Sequence, residues 1–364
     1  MRHACRAALA AGAALALAAC ETTGLSGAMG VDAREGPGGE AGPISLRDQG
    51  FFWVGKRVST EQGANGPRTT ISGQMYVGYQ LPAERRHPYP LVLVHGGGGQ
   101  ATDWMGTPDG RDGWLDYFLA AGFDVYFVDR PAYGRSPNNV GYGPLAIPTP
   151  SEQIANAFTI RSEQYPGTGE ADDPYVIEHT ASSSGGPTVG NDLLKENLAE
   201  LLDRVGPAIM VTHSAGGPSG WLALDARPEL VKGVLAIETA TGFYTNLAPL
   251  LTWSPALTAG ETIGTEERAP EGEGLTPCQL QPEGSVRTLP AFAGKPILGV
   301  VAPNSTFTPG FHCTVEQLRQ FGADVELARL KEDWGLEGNG HFMNEELNNG
   351  AIAARFIAWL ETVE

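Results

Sequence analysis

The chain has 364 residues, of which 41% are hydrophobic and 18% charged, enough for one large globular domain or two small ones. Its 24 basic and 42 acidic residues give a formal charge of −18, which argues against nucleic-acid binding and against simple adhesion to anionic lipid. Glycine (49) and proline (27) are both abundant, which implies many loops.

The N-terminus reads as a targeting segment. Arg2 and Arg6 form a positive start, and Ala7 to Ala19 is an apolar core too short to span a bilayer. It ends in Leu17-Ala18-Ala19-Cys20, which resembles the lipobox of bacterial lipoproteins. The resemblance implies removal of residues 1–19, a lipid on Cys20 and membrane attachment through that lipid; the alternative is an ordinary signal peptide cut near the same alanines. Residue 21 is Glu, not the Asp that retains many lipoproteins at the inner membrane, so an outer-membrane site, periplasmic or surface-facing, is expected. Residues 20–45 are rich in Gly, Ala, Thr and Ser without periodic apolar pattern and read as a flexible tether. Cys5 leaves with the signal, so Cys278 and Cys313 remain as an even pair in an oxidising compartment. A disulfide between them is expected, two free buried thiols being the alternative.

From residue 46 a single domain is expected. Gly50 to Ser59 and Thr69 to Leu81 read as antiparallel entry strands joined by a turn at Gly63 to Pro67. Leu91 to Val94 is a continuous apolar run suited to a central parallel strand, and it ends at His95-Gly96-Gly97-Gly98-Gly99. Trp114 to Ala121 reads as a helix ended by Gly122, and Asp124 to Val128 as a strand leading into Asp129. Residues 138–190 are irregular apart from a helix at Ser151 to Gln164, too long for a simple connection, and read as a lid. Asn191 to Arg204 carries apolar residues at helical spacing.

Ala208 to Val211 is a short buried strand. It stops at Thr212-His213-Ser214-Ala215-Gly216-Gly217, and Pro218 to Arg227 reads as a helix with Pro near its start. Such a strand–turn–helix lifts the Ser hydroxyl off the sheet, the geometry of a nucleophile elbow, although Thr212 stands where the usual pattern has Gly. Val231 to Glu238 is a further strand, 239–290 a second long excursion and candidate lid, and Pro296 to Val301 a strand. Cys313 to Phe321 is a helix, Asp324 to Leu330 the last strand and Ala351 to Leu360 the closing helix. This α/β alternation predicts a mostly parallel sheet with helices on both faces, reactive residues lying beyond the strand C-terminal ends.

Four strand ends carry suggestive residues: the His95 glycine run, Asp129, Ser214 and Glu238. A serine hydroxyl needs a base, and the base an orienting carboxylate. Only His312 and His341 follow Ser214. His312 begins a helix beside Cys313, whereas His341 lies in the glycine loop Gly338-Asn-Gly-His341, so His341 is the candidate base. The loop after Val301 has no carboxylate; Glu238 is the candidate acid, with Asp333 as fallback. The N–H groups of Gly97, with Gly98 its neighbour, and Ala215 are candidate oxyanion donors. His95 reads as structural, while His213 lines the pocket or supports the turn. Trp104, Tyr133 and Phe342 are candidate pocket walls or core residues.

The chain resembles the small bacterial α/β-hydrolase esterases whose triad acid is a Glu at the end of strand six. The matching stretches are Phe51-Phe-Trp-Val-Gly55, Gln74 to Gln80, Tyr89 to Gly96, Thr107 to Trp114, Asp129 to Ser136, His213-Ser214, Glu238 and Gly338-Asn-Gly-His341. The resemblance implies an α/β-hydrolase fold and a carboxylic-ester hydrolase acting on a small-molecule ester. It implies Ser214 as nucleophile, Glu238 as acid and His341 as base, without metal or organic cofactor, and a cysteine pair at Cys278 and Cys313. It departs from the family in two places. Gly97-Gly98 replace adjacent cysteines, so a looser oxyanion loop is expected, and the excursion after Glu238 is long. An amidase, lactonase or polyester depolymerase on the same triad, or a catalytically silent binding lipoprotein, are the alternatives.

Overall fold

The computed structural model describes residues 41–363 apart from 140 and 188. The signal segment and Cys20 lie outside the described residues. Eight strands form one sheet: β1 (Leu46–Val54), β2 (Met75–Pro82), β3 (Leu91–Val94), β4 (Val125–Asp129), β5 (Ala208–His213), β6 (Val231–Ile237), β7 (Pro296–Val301) and β8 (Asp324–Arg329). Their order is β1-β2-β4-β3-β5-β6-β7-β8. β1 and β2 pair antiparallel with their neighbours, and every pair from β4 to β8 is parallel.

The central strands are apolar throughout because both faces of the sheet are covered. Side chains alternate: Val92, Val94 and Met210 point into one core, Leu91, Leu93, Ile209 and Val211 into the other. The first core is closed by the helices α4 (Asn191–Val205), α5 (Gly217–Ala226) and α6 (Phe311–Gln320), through Leu198, Trp221 and Leu318. The second is closed by α1 (Trp114–Ala120) and α8 (Asn349–Leu360), through Trp114, Phe118 and Phe356. All five leucines marked by helical spacing on α4 are buried. Among the described residues, no helix is long and apolar enough to cross a membrane.

Several boundaries differ from the sequence reading. The two entry strands are each broken, at Gly55 (φ +69) and Gly73 (φ +79), where a side chain would be strained. The outer pieces, Arg57–Gly63 and Gly66–Ser72, form a separate exposed hairpin. Within 138–190 the expected helix stops early, as α2 (Ser151–Ala157), and a further helix, α3 (Pro174–Ala181), is present. Asp173 caps α3 by accepting the Tyr175 N–H, with Pro174 at the first turn. Ile154, Tyr165 and Val176 give this segment a small core of its own. A short helix, α7 (Leu330–Trp334), follows β8. The 239–290 excursion is mostly irregular, and its Cys278 is bonded to Cys313 of α6, with S–S 2.01 Å.

Leu198→Ala empties a fully buried site. It is expected to lower the unfolding free energy by about 2–5 kcal/mol in a denaturant titration. Ile147→Ala, at a position 88% exposed, should change it by no more than about 0.5 kcal/mol.

Candidate active site

β5 runs directly into one 3-10 turn, Ser214–Gly216, and then into α5. Ser214 takes φ +53, the unusual backbone that turns its side chain off the sheet. The turn fits because Gly216 has no side chain: a Cβ there would stand 2.3 Å from the His95 carbonyl oxygen. Gly220 on the facing helix lies near Thr212: a Cβ there would stand 3.0 Å from Val234 Cγ1 and, at ordinary contact distance, 3.4 Å from the threonine methyl. The buried Thr212 hydroxyl has no hydrogen-bond partner among the described residues.

Ser214, His341 and Glu238 come together. His341 Nε2 lies 2.9 Å from Ser214 Oγ, and His341 Nδ1 lies 2.5 Å from Glu238 Oε2. Glu238 follows β6 directly with φ +42 and is fully buried. The loop after β7 carries no carboxylate, but it supplies two donors to this one. The Ala302 N–H donates to Oε1 at 2.8 Å, and the Ser305 hydroxyl to Oε2 at 2.6 Å. Asp333 is elsewhere: it sits on α7, part-exposed, and accepts the Arg329 N–H.

The His341 ring is clamped. Phe307 and Phe158 of the 138–190 segment each stack on it at 4.7 Å between centroids, and His213 lies tilted against it at 4.6 Å. His213 Nε2 also donates to the His341 carbonyl. Burial pushes the His341 imidazole well below the ordinary histidine value, so the ring is neutral at neutral pH. Burial also pushes the Glu238 carboxyl up, against the Ser305 hydroxyl and the Ala302 N–H. The loop before His341 is fastened by buried Glu346, which accepts from Gly340 N–H, the Asn339 amide and the Ser162 hydroxyl. Two backbone bonds, Glu163 N–H to Gly338 and Leu347 N–H to Gln164, tie the same loop to the 138–190 segment.

The glycine run lies beside Ser214. The Gly96 carbonyl accepts from Arg130 Nη2 at 2.6 Å and from His95 Nδ1 at 2.9 Å. A planar trans peptide then turns the Gly97 N–H to the opposite side. The Ser214 carbonyl accepts the Ala240 N–H at 2.8 Å, which turns the Ala215 N–H likewise. Ala215 stands in the first helical turn, where N–H groups lack intrahelical partners. Gly98 is held by the Ser184 N–H, and Gln100 by the Ser182 carbonyl, so the loop without cysteines is fastened at several points instead. His95 is a buried support whose Nε2 accepts the Arg130 N–H. Asp129 is also an anchor, taking the N–H groups of Ala101 and Arg135.

A cavity of about 280 Å³ contains Ser214 and His341 and is walled by Gly97, Phe158, His179 and Phe342. The 138–190 segment walls it; no residue of 239–290 lines it. Trp104 is core, stacked on Trp114, and Tyr133 packs on Arg130 and His95. A larger cavity, about 650 Å³, lies in 239–290 around Tyr244, Leu251 and Trp253 and contains no histidine. Among the described residues the one grouping with metal-ligand spacing is Cys278, His312 and Cys313, and its two sulfurs are joined to each other. Arg130, Ser305, Ala302 and Glu346 were not singled out from the sequence. Their contributions run through backbone groups or buried contacts between distant segments, which leave no local pattern.

Residues 91–355 match the model described as "Alpha/beta hydrolase family". The chain is 35% identical over 317 residues to "Probable secreted lipase phiG" of Fungal sp. (strain ATCC 74256), covering 79% of this chain and 85% of the relative. It is also similar to a solved structure of a bacterial esterase, at TM-score 0.65 and 22% identity, over 91% of this chain and 99% of the other.

Replacing the unpartnered Thr212 hydroxyl by a methyl, as Thr212→Val, is expected to raise the unfolding free energy by about 1 kcal/mol. Denaturant titration reads this directly, and a loss of stability would show that the hydroxyl is satisfied.

Proposed function

The chain belongs to the alpha/beta hydrolase family, and from that premise we propose that it is a serine hydrolase of carboxylic esters. The carrying observation is the unbroken hydrogen-bond chain Ser214 Oγ, His341, Glu238 at the wall of one cavity. Ser214 Oγ attacks the ester carbonyl carbon while His341 Nε2 takes its proton. The imidazolium so formed is stabilised by Glu238, and the developing oxyanion by the N–H groups of Gly97 and Ala215. Collapse breaks the ester C–O bond, and His341 returns its proton to the leaving alcohol. Water then repeats the sequence on the acyl-Ser214 ester and frees the acid.

The fixed peptides support the oxyanion assignment. Each candidate donor has the carbonyl of its own peptide held from behind, one by Arg130 and His95, the other by Ala240. Preorganised donors of this kind need no rearrangement as charge develops. Export is part of the same reading. It rests on the N-terminal signal pattern with Cys20 as lipid anchor, and on a relative whose name says that it is secreted.

Ser214→Ala is expected to lower kcat for a 4-nitrophenyl ester by about four orders of magnitude or more. A fluorophosphonate should label the wild type at Ser214 and leave the variant unlabelled; labelling elsewhere, or retained turnover, would remove the assignment.

The lowered His341 value fixes the sign of the pH dependence. Its neutral, proton-accepting form persists as pH falls past the ordinary histidine value of about 6.5. The acid limb of kcat/KM is therefore expected below pH of about 6.5. An acid limb above that value would contradict a base shifted by burial.

A further inference from the structure

The cavity that holds Ser214 has two kinds of wall. Ile154, Phe158 and Phe342 supply apolar surface, whereas Asp103, His179 and Glu345 are ionisable. These three come from different places. Asp103 stands on the 3-10 turn Ala101–Trp104 after the glycine loop, His179 on α3, and Glu345 just beyond His341.

His179 and Glu345 satisfy one another. Nδ1 lies 2.8 and 2.9 Å from the two carboxylate oxygens. Burial pushes His179 down, but the Glu345 charge and hydrogen bond outweigh it and the net shift is upward. When the ring is protonated, its charge is balanced by its own carboxylate.

Asp103 has no such partner. Its Oδ1 takes a long bond, 3.3 Å, from the Gln100 N–H. Among the described residues, no donor reaches Oδ2. Room for this oxygen is built into the loop, since a Cβ on Gly99 would stand 2.0 Å from it. The side chain is part-exposed at the cavity wall, and desolvation there pushes the carboxyl up to about 7, with His179 acting in the opposite direction. A carboxyl with one long protein donor loses its water when a ligand covers the cavity wall, and that is costly unless the ligand supplies a donor. A plain alkyl chain would cover it and leave it unpaired. A neutral hydroxyl supplies that donor without bringing a further charge beside the His179–Glu345 pair. The cavity, about 280 Å³, is also at the small end of ligand sites.

We propose that Asp103 is a specificity residue of the Ser214 cavity, accepting a hydrogen bond from a hydroxyl on the substrate, so that the site selects small hydroxylated esters over plain alkyl esters. This rests on the ester-hydrolase reading above and deepens it.

The test uses two matched pairs and the whole protein. One is 4-nitrophenyl butyrate against 4-nitrophenyl 3-hydroxybutyrate, which varies the acyl side. The other is ethyl butyrate against 2-hydroxyethyl butyrate, which varies the alcohol side. The wild type is expected to favour the hydroxylated member of at least one pair by about tenfold or more in kcat/KM, the effect of a hydrogen bond to a charged group. Asp103→Asn keeps an oxygen for the Gln100 N–H but removes the carboxylate's charge-assisted acceptor. It should bring that ratio to within about threefold. The ratio is internal to each protein, so a smaller folded fraction of the variant cancels from it. Two results overturn the proposal alone: turnover of both pairs without preference, or a preference that Asp103→Asn leaves intact. Absence of turnover for all four esters together with absence of fluorophosphonate labelling at Ser214 would remove the underlying reading as well.

Discussion

A fully buried carboxyl at the end of β6 is the constraint around which this site is arranged. Left unpaired, it would cost several kcal/mol. Glu238 is surrounded by groups that can pair with it: the Ala302 N–H, the Ser305 hydroxyl and His341 Nδ1. These belong to loops after β7 and β8, far apart in sequence. They converge because β6, β7 and β8 are parallel neighbours, with Ile237 opposite Val300 and the Glu238 N–H donating to the Val300 carbonyl. A slip of one residue in that pairing would turn Glu238 to the other face of the sheet. The chemistry proposed for Ser214 therefore depends on sheet register as much as on residue identity.

The same division explains what could be read beforehand. Leu91–Val94 and Ala208–Val211 are uninterrupted apolar runs ending in glycine-rich turns, and such runs identify central strands and the loops beyond them. Ser214 and Glu238 were singled out as candidates at such strand ends, and His341 from its glycine loop, Gly338-Asn-Gly-His341. Asp333 offered a carboxylate at plausible spacing, and only the fold puts it on a short helix facing Arg329. Ala302 acts through its N–H, which every residue but proline has, so its side chain advertises nothing. Arg130 reaches across to the Gly96 carbonyl, a contact set by tertiary packing alone. The breaks at Gly55 and Gly73 were missed because alternation continues across them, and α3 and α7 because eight and five residues carry too little periodicity.

Thr212 illustrates how a departure from a pattern is absorbed. Strand and helix must nearly touch at an elbow, and smallness is required of the contact, not of one position. Here the close approach is at Gly216, against the His95 carbonyl, and the Thr212 methyl lies at ordinary contact distance from a Cβ placed on Gly220. The glycine loop after β3 behaves similarly. Where the resembled esterases carry cysteines, this chain fastens the loop by Arg130, Ser184 and Gln100.

The 138–190 segment and the loop of His341 share two backbone hydrogen bonds, the Glu346 cluster and the stack of Phe158 on the imidazole. Wall and base are one piece of scaffold. Moving the wall outward would break those two bonds and take Phe158 off the imidazole, while Phe307, His213 and Glu238 stay against it. The position of the cavity wall and the setting of the His341 ring are therefore coupled, so a change in one is a change in the other.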